Sequence, residues 1–226
     1  KALPYALTHS QRKAVDDIIT DLARPQRMLR LLQGDVGSGK TVVALTAAAA
    51  IIEAGRQAAF MAPTEILARQ HLSTIAPLAE AAGLRVAILT GRERGAARKE
   101  ILDRLVLGDI DLLIGTHALF QEDVAFHDLA LAVVDEQHRF GVHQRLALTH
   151  KGEAVDVLVL TATPIPRTLV LTFFGDMDIS ELREKPPGRQ PIDTRTIPLS
   201  RLEEVEDAVG RVIAVERDWF IHPDSF

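Results

Sequence analysis

The sequence predicts an α/β fold: a doubly wound, mainly parallel β-sheet with helices packed on both faces. Three observations predict it. Short apolar runs recur along the chain, near-continuous rather than alternating, as strands buried on both faces require. Helical stretches separate these runs in a regular strand–helix rhythm. A glycine-rich turn, Gly34-Asp-Val-Gly-Ser-Gly-Lys-Thr41, joins the first run to the helix that follows it.

Taken in order, a helix is predicted over Ser10–Leu22, then a strand over Met28–Leu32 that runs into the glycine-rich turn. The next helix, Lys40–Ala54, carries the Ala47–Ala50 run, good helix material. Further strands are predicted over Gln57–Ala62, Arg85–Leu89, Asp111–Gly115, Ala130–Asp135 and Asp156–Leu160. Helices over Glu65–Ala82, Glu93–Leu107 and Gln137–Leu148 fall between them. Asp176 and Asp178 read as turn or N-cap residues. Residues 1–184 thus form one α/β unit. The segment Lys185-Pro-Pro-Gly-Arg-Gln-Pro191 cannot continue a helix or a central strand and reads as a linker. A strand over Thr194–Pro198 and a helix over Arg201–Val215 follow it. Residues 192–226 are too few for a domain of their own and read as the truncated opening of a second one. The chain starts at Lys1 without Met, as a piece of a longer protein would.

Composition narrows the function. Hydrophobic residues make up 47% and charged residues 25% of the chain, which is ordinary for a globular core. The absence of cysteine removes disulfides, iron–sulfur clusters, thiol nucleophiles and cysteine zinc sites. The longest apolar run, from about Val42 to Ile52, falls short of the ~20 residues of a membrane span. No signal peptide opens the chain. A net charge of −5 offers no global attraction to nucleic acid, so any such binding rests on local patches.

The glycine-rich turn fits G-x-x-x-x-G-K-[ST] in full and lies between a predicted strand and a predicted helix, the context that marks a P-loop. In such a loop Gly34, Gly37 and Gly39 let backbone N–H groups, Ser38's among them, turn toward phosphate oxygens. The helix N-terminus adds its positive end. Lys40 reaches the β- and γ-phosphates of ATP and the Thr41 hydroxyl ligates Mg²⁺. A P-loop also needs a carboxylate on a neighbouring strand to hold the metal. Leu131-Ala-Val-Val-Asp135-Glu136 supplies one, with Asp135 as the metal ligand and Glu136 as the base that activates water.

Other short motifs stand in a recognisable order around these two. Asp135-Glu-Gln-His138 resembles motif II of the superfamily 2 helicases, and Thr161-Ala-Thr163 resembles motif III. Ala62-Pro-Thr-Glu65 resembles motif Ia, Thr90-Gly91 the turn after it, and Gly115-Thr-His-Ala118 motif Ib. Leu7-Thr8 with Gln11 resembles the adenine-reading motif upstream of the P-loop. Together they look like a first RecA-like helicase lobe, up to about Arg189. The stretches Asp135–Arg145 and Thr161–Thr168 narrow the likeness to the RecG and Mfd group of bacterial DNA translocases. Gln137, together with Phe174–Ser180 and Pro186-Pro-Gly-Arg189, favours the RecG family of branched-DNA helicases.

The resemblance implies ATP- and Mg²⁺-dependent movement on branched, double-stranded DNA, independent of base sequence, in a cytoplasmic bacterial protein. It implies an N-terminal wedge domain and a second helicase lobe in cis. It also implies contacts to DNA phosphates from Thr64, Arg69, Thr116 and His117, with Arg139 and Arg145 beside motif II. Gln11 reads adenine on this view, against the alternative of an exposed helix glutamine. Gln137 and His138 sense the γ-phosphate. Thr161 and Thr163 couple the ATP state to DNA through the His138 region, or else serve only β-propensity and capping. The cluster Arg92, Arg94, Arg98, Lys99 and Arg104 reads as a solvated helix face balanced by Glu93, Glu100 and Asp103. The tail Arg217–Phe226 departs from the family pattern. The rival readings are an Mfd-type transcription-repair translocase, a P-loop module without DNA action, and an inactive product of a broken gene.

Overall fold

The computed structural model describes residues 3, 5–135, 155–163, 177–184 and 198–220, without the side chains of 120, 199 and 212–220. The chain divides into two compact units, Lys1–Pro187 and Gly188–Phe226.

The first unit is built on a seven-stranded sheet in the order β3-β4-β2-β5-β6-β1-β7. Its strands are β1 (Leu29–Gly34), β2 (Gln57–Met61), β3 (Val86–Leu89), β4 (Leu112–Gly115), β5 (Leu129–Asp135), β6 (Asp156–Thr161) and β7 (Asp178–Leu182). Every neighbouring pair is parallel. The four helices described in this unit are α1 (His9–Leu22), α2 (Lys40–Glu53), α3 (Glu65–Ala81) and α4 (Gly95–Val106). The strands run continuously apolar because successive side chains feed opposite cores. Leu32, Phe60, Ile114 and Leu158 face α1, α2 and α3; Leu31, Ala59, Leu113 and Val159 face the side where α4 packs. No described helix is long and apolar enough to cross a membrane.

Two expectations need correction. Asp178 opens strand β7 rather than a turn. That strand pairs with β1 at the sheet edge, where only alternate residues are buried, so it carries no apolar run. Helix α4 starts at Gly95 rather than Glu93; the Glu93 carboxylate folds back onto Thr90, accepting from its N–H and its hydroxyl at 2.6 Å each. The predicted helix Gln137–Leu148 and most of the predicted strand Thr194–Pro198 lie outside the described residues. In the second unit a single 3-10 turn, Leu199–Arg201, leads into α5 (Leu202–Phe220), longer than the predicted helix.

Candidate nucleotide and nucleic-acid site

The strand order puts only β6 between β1 and β5, so the P-loop after β1 and Asp135 at the end of β5 share one edge of the sheet. This is the C-terminal edge, where ligands of open parallel sheets bind. The loop needs its glycines. Gly37 and Gly39 have φ of 75° and 89°, the left-handed region that side chains disfavour. At Gly34 a Cβ would lie 2.6 Å from Ser38 Oγ and 2.9 Å from Leu182 Cβ.

Inside the loop, Ser38 N–H donates to the Asp35 carbonyl at 3.0 Å. Ser38 Oγ is buried with no hydrogen-bond partner among the described residues, an orphan a bound oxyanion would satisfy. The Lys40 ammonium donates to the Gly34 and Asp35 carbonyls at 2.6 and 3.0 Å. Burial pulls its pKa below the usual lysine value, against the opposing charges of Asp135 and Asp35. A half-desolvated cation held only by neutral carbonyls is well placed to exchange them for phosphate oxygens.

Gln11 stands behind this loop rather than on the surface. It is 3% exposed, which removes the exposed-glutamine alternative. Its Nε2 donates to the Ser38 carbonyl at 2.7 Å, and its Oε1 accepts from Thr8 N–H at 2.9 Å within a capping box. One amide thereby ties the start of α1 to the P-loop. Beside that turn Ser10 donates from N–H and Oγ to Glu184, on the wall of a cleft of about 580 Å³.

Asp135 is not alone. His71, on α3, donates from Nε2 to Asp135 Oδ2 at 2.6 Å. The imidazole rests against Phe60 with ring centroids 4.6 Å apart. The sequence reading missed His71. Thr41 in the first turn of α2 and Asp135 offer hydroxyl and carboxylate oxygens, the hard donors Mg²⁺ takes. These residues fit that ion. Glu136, Gln137, His138, Arg139 and Arg145 lie outside the described residues.

The remaining predicted residues gather on the same edge. Thr64 caps α3, accepting from Leu67 N–H at 3.3 Å. Thr116 caps a 3-10 turn over His117–Phe120; it is buried, while His117 is exposed. Arg69 is clamped by Glu65 and Glu93, each at 3.0 Å. Burial pushes the Glu93 carboxyl up, but the bonds from Thr90 and Arg69 outweigh it and leave the group below the usual glutamate range. The arginines expected to be balanced within their own helix reach further: Arg92 pairs with Glu65 and Arg98 with Asp123. Thr161 and Thr163 meet each other, Oγ1 to Oγ1 at 3.1 Å, in a local turn.

Residues 8–171 match the model of the DEAD/DEAH box helicase family. The ATP-dependent DNA helicase RecG of Bacillus subtilis (strain 168) is 49% identical over 221 residues, covering 98% of this chain and 32% of that protein. RecG of Staphylococcus aureus (strain N315) is 54% identical over 192 residues, 85% of this chain and 28% of its own length. A solved structure of RecG bound to a three-way DNA junction superposes with a TM-score of 0.78 and 46% identity, over 92% of this chain and 28% of that one. The helicase MrfA, at 17% identity and a TM-score of 0.66, shares the fold alone. The chain spans about a third of the length of the curated relatives it matches.

Proposed function

The chain belongs to the DEAD/DEAH box helicase family, and from that premise we propose that it is the ATP-binding lobe of a RecG-type helicase that remodels branched DNA in repair and recombination. The observation that carries the reading is the meeting of Lys40, the Ser38 cradle and Asp135 on one sheet edge, in a chain with RecG-like sequence throughout. Residues 1–184 form the lobe, 185–191 a linker, and 192–226 the opening of a second lobe. That second lobe and an N-terminal wedge domain belong to the same polypeptide, in a bacterial cytoplasm.

The chemistry follows from the residues. The N–H groups of residues 37 and 39–41 hold the phosphates, Ser38 N–H joining them on leaving the Asp35 carbonyl, and Lys40 leaves its two carbonyls for them. Thr41 and Asp135 would hold Mg²⁺, which would supply charge neutralisation for the phosphates. Glu136 takes a proton from the attacking water. Gln11, its amide bonded to the Ser38 carbonyl and Thr8 N–H, holds the loop in register while the nucleoside extends toward the cleft at Ser10 and Glu184. Thr161 and Thr163, with Gln137 and His138, relay the ATP state.

DNA phosphates meet Thr64 and His117, the buried Thr116 capping the turn that presents His117, with Arg139 and Arg145 adding charge. Arg69 joins them only on leaving Glu65 or Glu93. The transition-state arginine comes from the second lobe, and such a residue is worth ~10³–10⁵ in rate.

Phosphate release by the 226-residue chain, with and without a three-way junction, tests this reading. The expected outcome is ATP binding with very slow turnover and no DNA stimulation, and DNA-stimulated turnover recovered when the second lobe is added. Robust DNA-stimulated turnover by the chain alone would overturn it.

A further inference from the structure

The bond between His71 and Asp135 joins two parts of the lobe that lie 64 residues apart. Both side chains are largely shielded, at 14% and 22% exposure, so water competes poorly for the bond. A carboxylate only accepts, so Nε2 carries the proton and its direction is fixed. The imidazole is itself held. Phe60, 1% exposed on β2, packs against it, and Ala68 and Ile75 bury α3 on the sheet one turn to either side. Seven residues before His71, about 10 Å along the helix, Thr64 caps the exposed start of α3.

We propose that His71 is a positioning residue for the metal-binding carboxylate, fixing the rotamer of Asp135 and tying it to the helix that begins at Thr64. The inference rests on the reading of Asp135 as a Mg²⁺ ligand. A ligand carboxylate free to rotate must be ordered when the ion arrives; one already held by a donor on its second lone-pair face is not. Because the donor sits on α3, any displacement of that helix moves the ligand. The metal site and the surface at Thr64 are therefore mechanically linked through one hydrogen bond.

The test uses Mn²⁺ as the probe, titrated by electron paramagnetic resonance in the presence of a non-hydrolysable ATP analogue. Two variants remove the donor in different ways: His71→Phe keeps a ring against Phe60, and His71→Ala keeps the helix. Each should weaken Mn²⁺ binding by roughly 10–100-fold, the usual effect of losing a partner behind a metal ligand. Analogue binding in EDTA should stay at the parent value, a split that a general loss of structure would not produce. His71→Gln, whose amide can donate at similar reach, should recover most of the affinity. Asp135→Ala separates the two levels of the argument. If it binds Mn²⁺ like the parent, the assignment of Asp135 as a metal ligand is wrong. If it loses Mn²⁺ while His71→Phe and His71→Ala both bind like the parent, the assignment stands and the role of His71 is overturned.

Discussion

The two edges of one sheet have been put to different uses. At the N-terminal edge side chains close on one another. Arg56 grips Asp128 through two bonds of 2.9 Å. Arg85 reaches Asp111 and the Gly108 carbonyl, and Met28 N–H donates to Asp156. Gln57, 4% exposed, spends its whole amide: it donates to the Leu105 and Ile110 carbonyls and accepts from the N–H groups of His127 and Asp128. At the C-terminal edge side chains also close on one another around Arg69, but the P-loop differs. In the P-loop there, Ser38 Oγ is buried with no partner among the described residues, and the hydrogen bonds of the Lys40 ammonium go to the Gly34 and Asp35 carbonyls. Satisfied polar groups stabilise, whereas unsatisfied ones are kept where a ligand completes them. The difference separates the edge whose polar groups are met by the protein from the loop that we assign to nucleotide.

Substitutions at the two edges should therefore fail in different assays. The largest effect belongs to Lys40→Ala. It removes the cation from the phosphate cradle, and two charge-assisted bonds at ~1.5–3 kcal/mol each imply that Mg²⁺–ATP affinity falls by roughly 100-fold or more. Only bonds to two neutral carbonyls are lost from the fold, so stability should stay within about 1 kcal/mol. Calorimetric titration beside thermal melts checks both halves. The mirror case is Gln57→Leu. The Ile110 carbonyl and the N–H groups of His127 and Asp128 lose their partner, at about 1–3 kcal/mol for each one left dry, while the Leu105 carbonyl keeps Gly108 N–H at 3.2 Å. We expect a loss of about 3 kcal/mol in urea unfolding with ATP affinity unchanged. Equal damage to both assays by either variant would erase the distinction between the edges.

How much of this was legible beforehand also follows the edges. The P-loop was readable because its demands are local: glycines where φ is positive, and a lysine at a fixed step after them. The inner strands were readable because both their faces are buried. Strand β7 was not, since an edge strand alternates and this one begins with an aspartate. Gln11 read as an adenine contact with an exposed helix glutamine as the alternative, and its burial could not be read locally because it depends on a loop that folds over it from 27 residues away. His71 offered a faint signal. It falls on the stripe Ala68, His71, Ile75, Ala79, at helical spacing, on the face α3 turns to the sheet. Glu93 offered another, as the fourth residue of Thr90-Gly-Arg-Glu93, a capping-box pattern whose carboxylate returns to Thr90 N–H without a helix starting there.

Acid should act on both edges in the same direction. Glu93 at one edge, and Asp111 and Asp128 at the other, are held below their ordinary ranges. Burial opposes this at Glu93 and Asp111, and the bonds from Thr90 and from Arg85 outweigh it. At Asp128 the bond from Arg56 dominates. For a carboxylate whose folded pKa is depressed, the stabilisation is complete above the unfolded value, near ~4. It is lost as pH falls through the folded value. Glu93→Gln and Asp111→Asn should each flatten the decline of stability below about pH 4. Urea midpoints between pH 7 and pH 3 measure this. A decline unchanged in both variants would mean these bonds contribute nothing to acid sensitivity.

Asp156 is the exception at the N-terminal edge, and it carries the smallest expected effect. Burial raises its pKa, despite the bond from Met28 N–H at 2.6 Å and the attraction of Arg56 and Arg27. The sign therefore opposes that of Asp111. With the folded pKa above the unfolded one, the group's favourable contribution exists below the unfolded value and is lost as pH rises through the folded value. At pH 7 the ionised carboxylate is thus a mild liability, retained with its oxygen accepting from the start of β1. Asp156→Asn keeps an acceptor at that place and removes the charge that burial disfavours. It should be neutral or stabilising at pH 7, by no more than about 1 kcal/mol, with the gain shrinking as pH falls toward 4. Asp156→Leu, which removes the acceptor as well, should instead destabilise by about 1–3 kcal/mol at both pH values, since Met28 N–H is then left unmet. A destabilised Asn variant at pH 7 would show that the charge itself, through Arg56 and Arg27, supports this edge, and that its ion pairs extend further than Arg56 and Asp128.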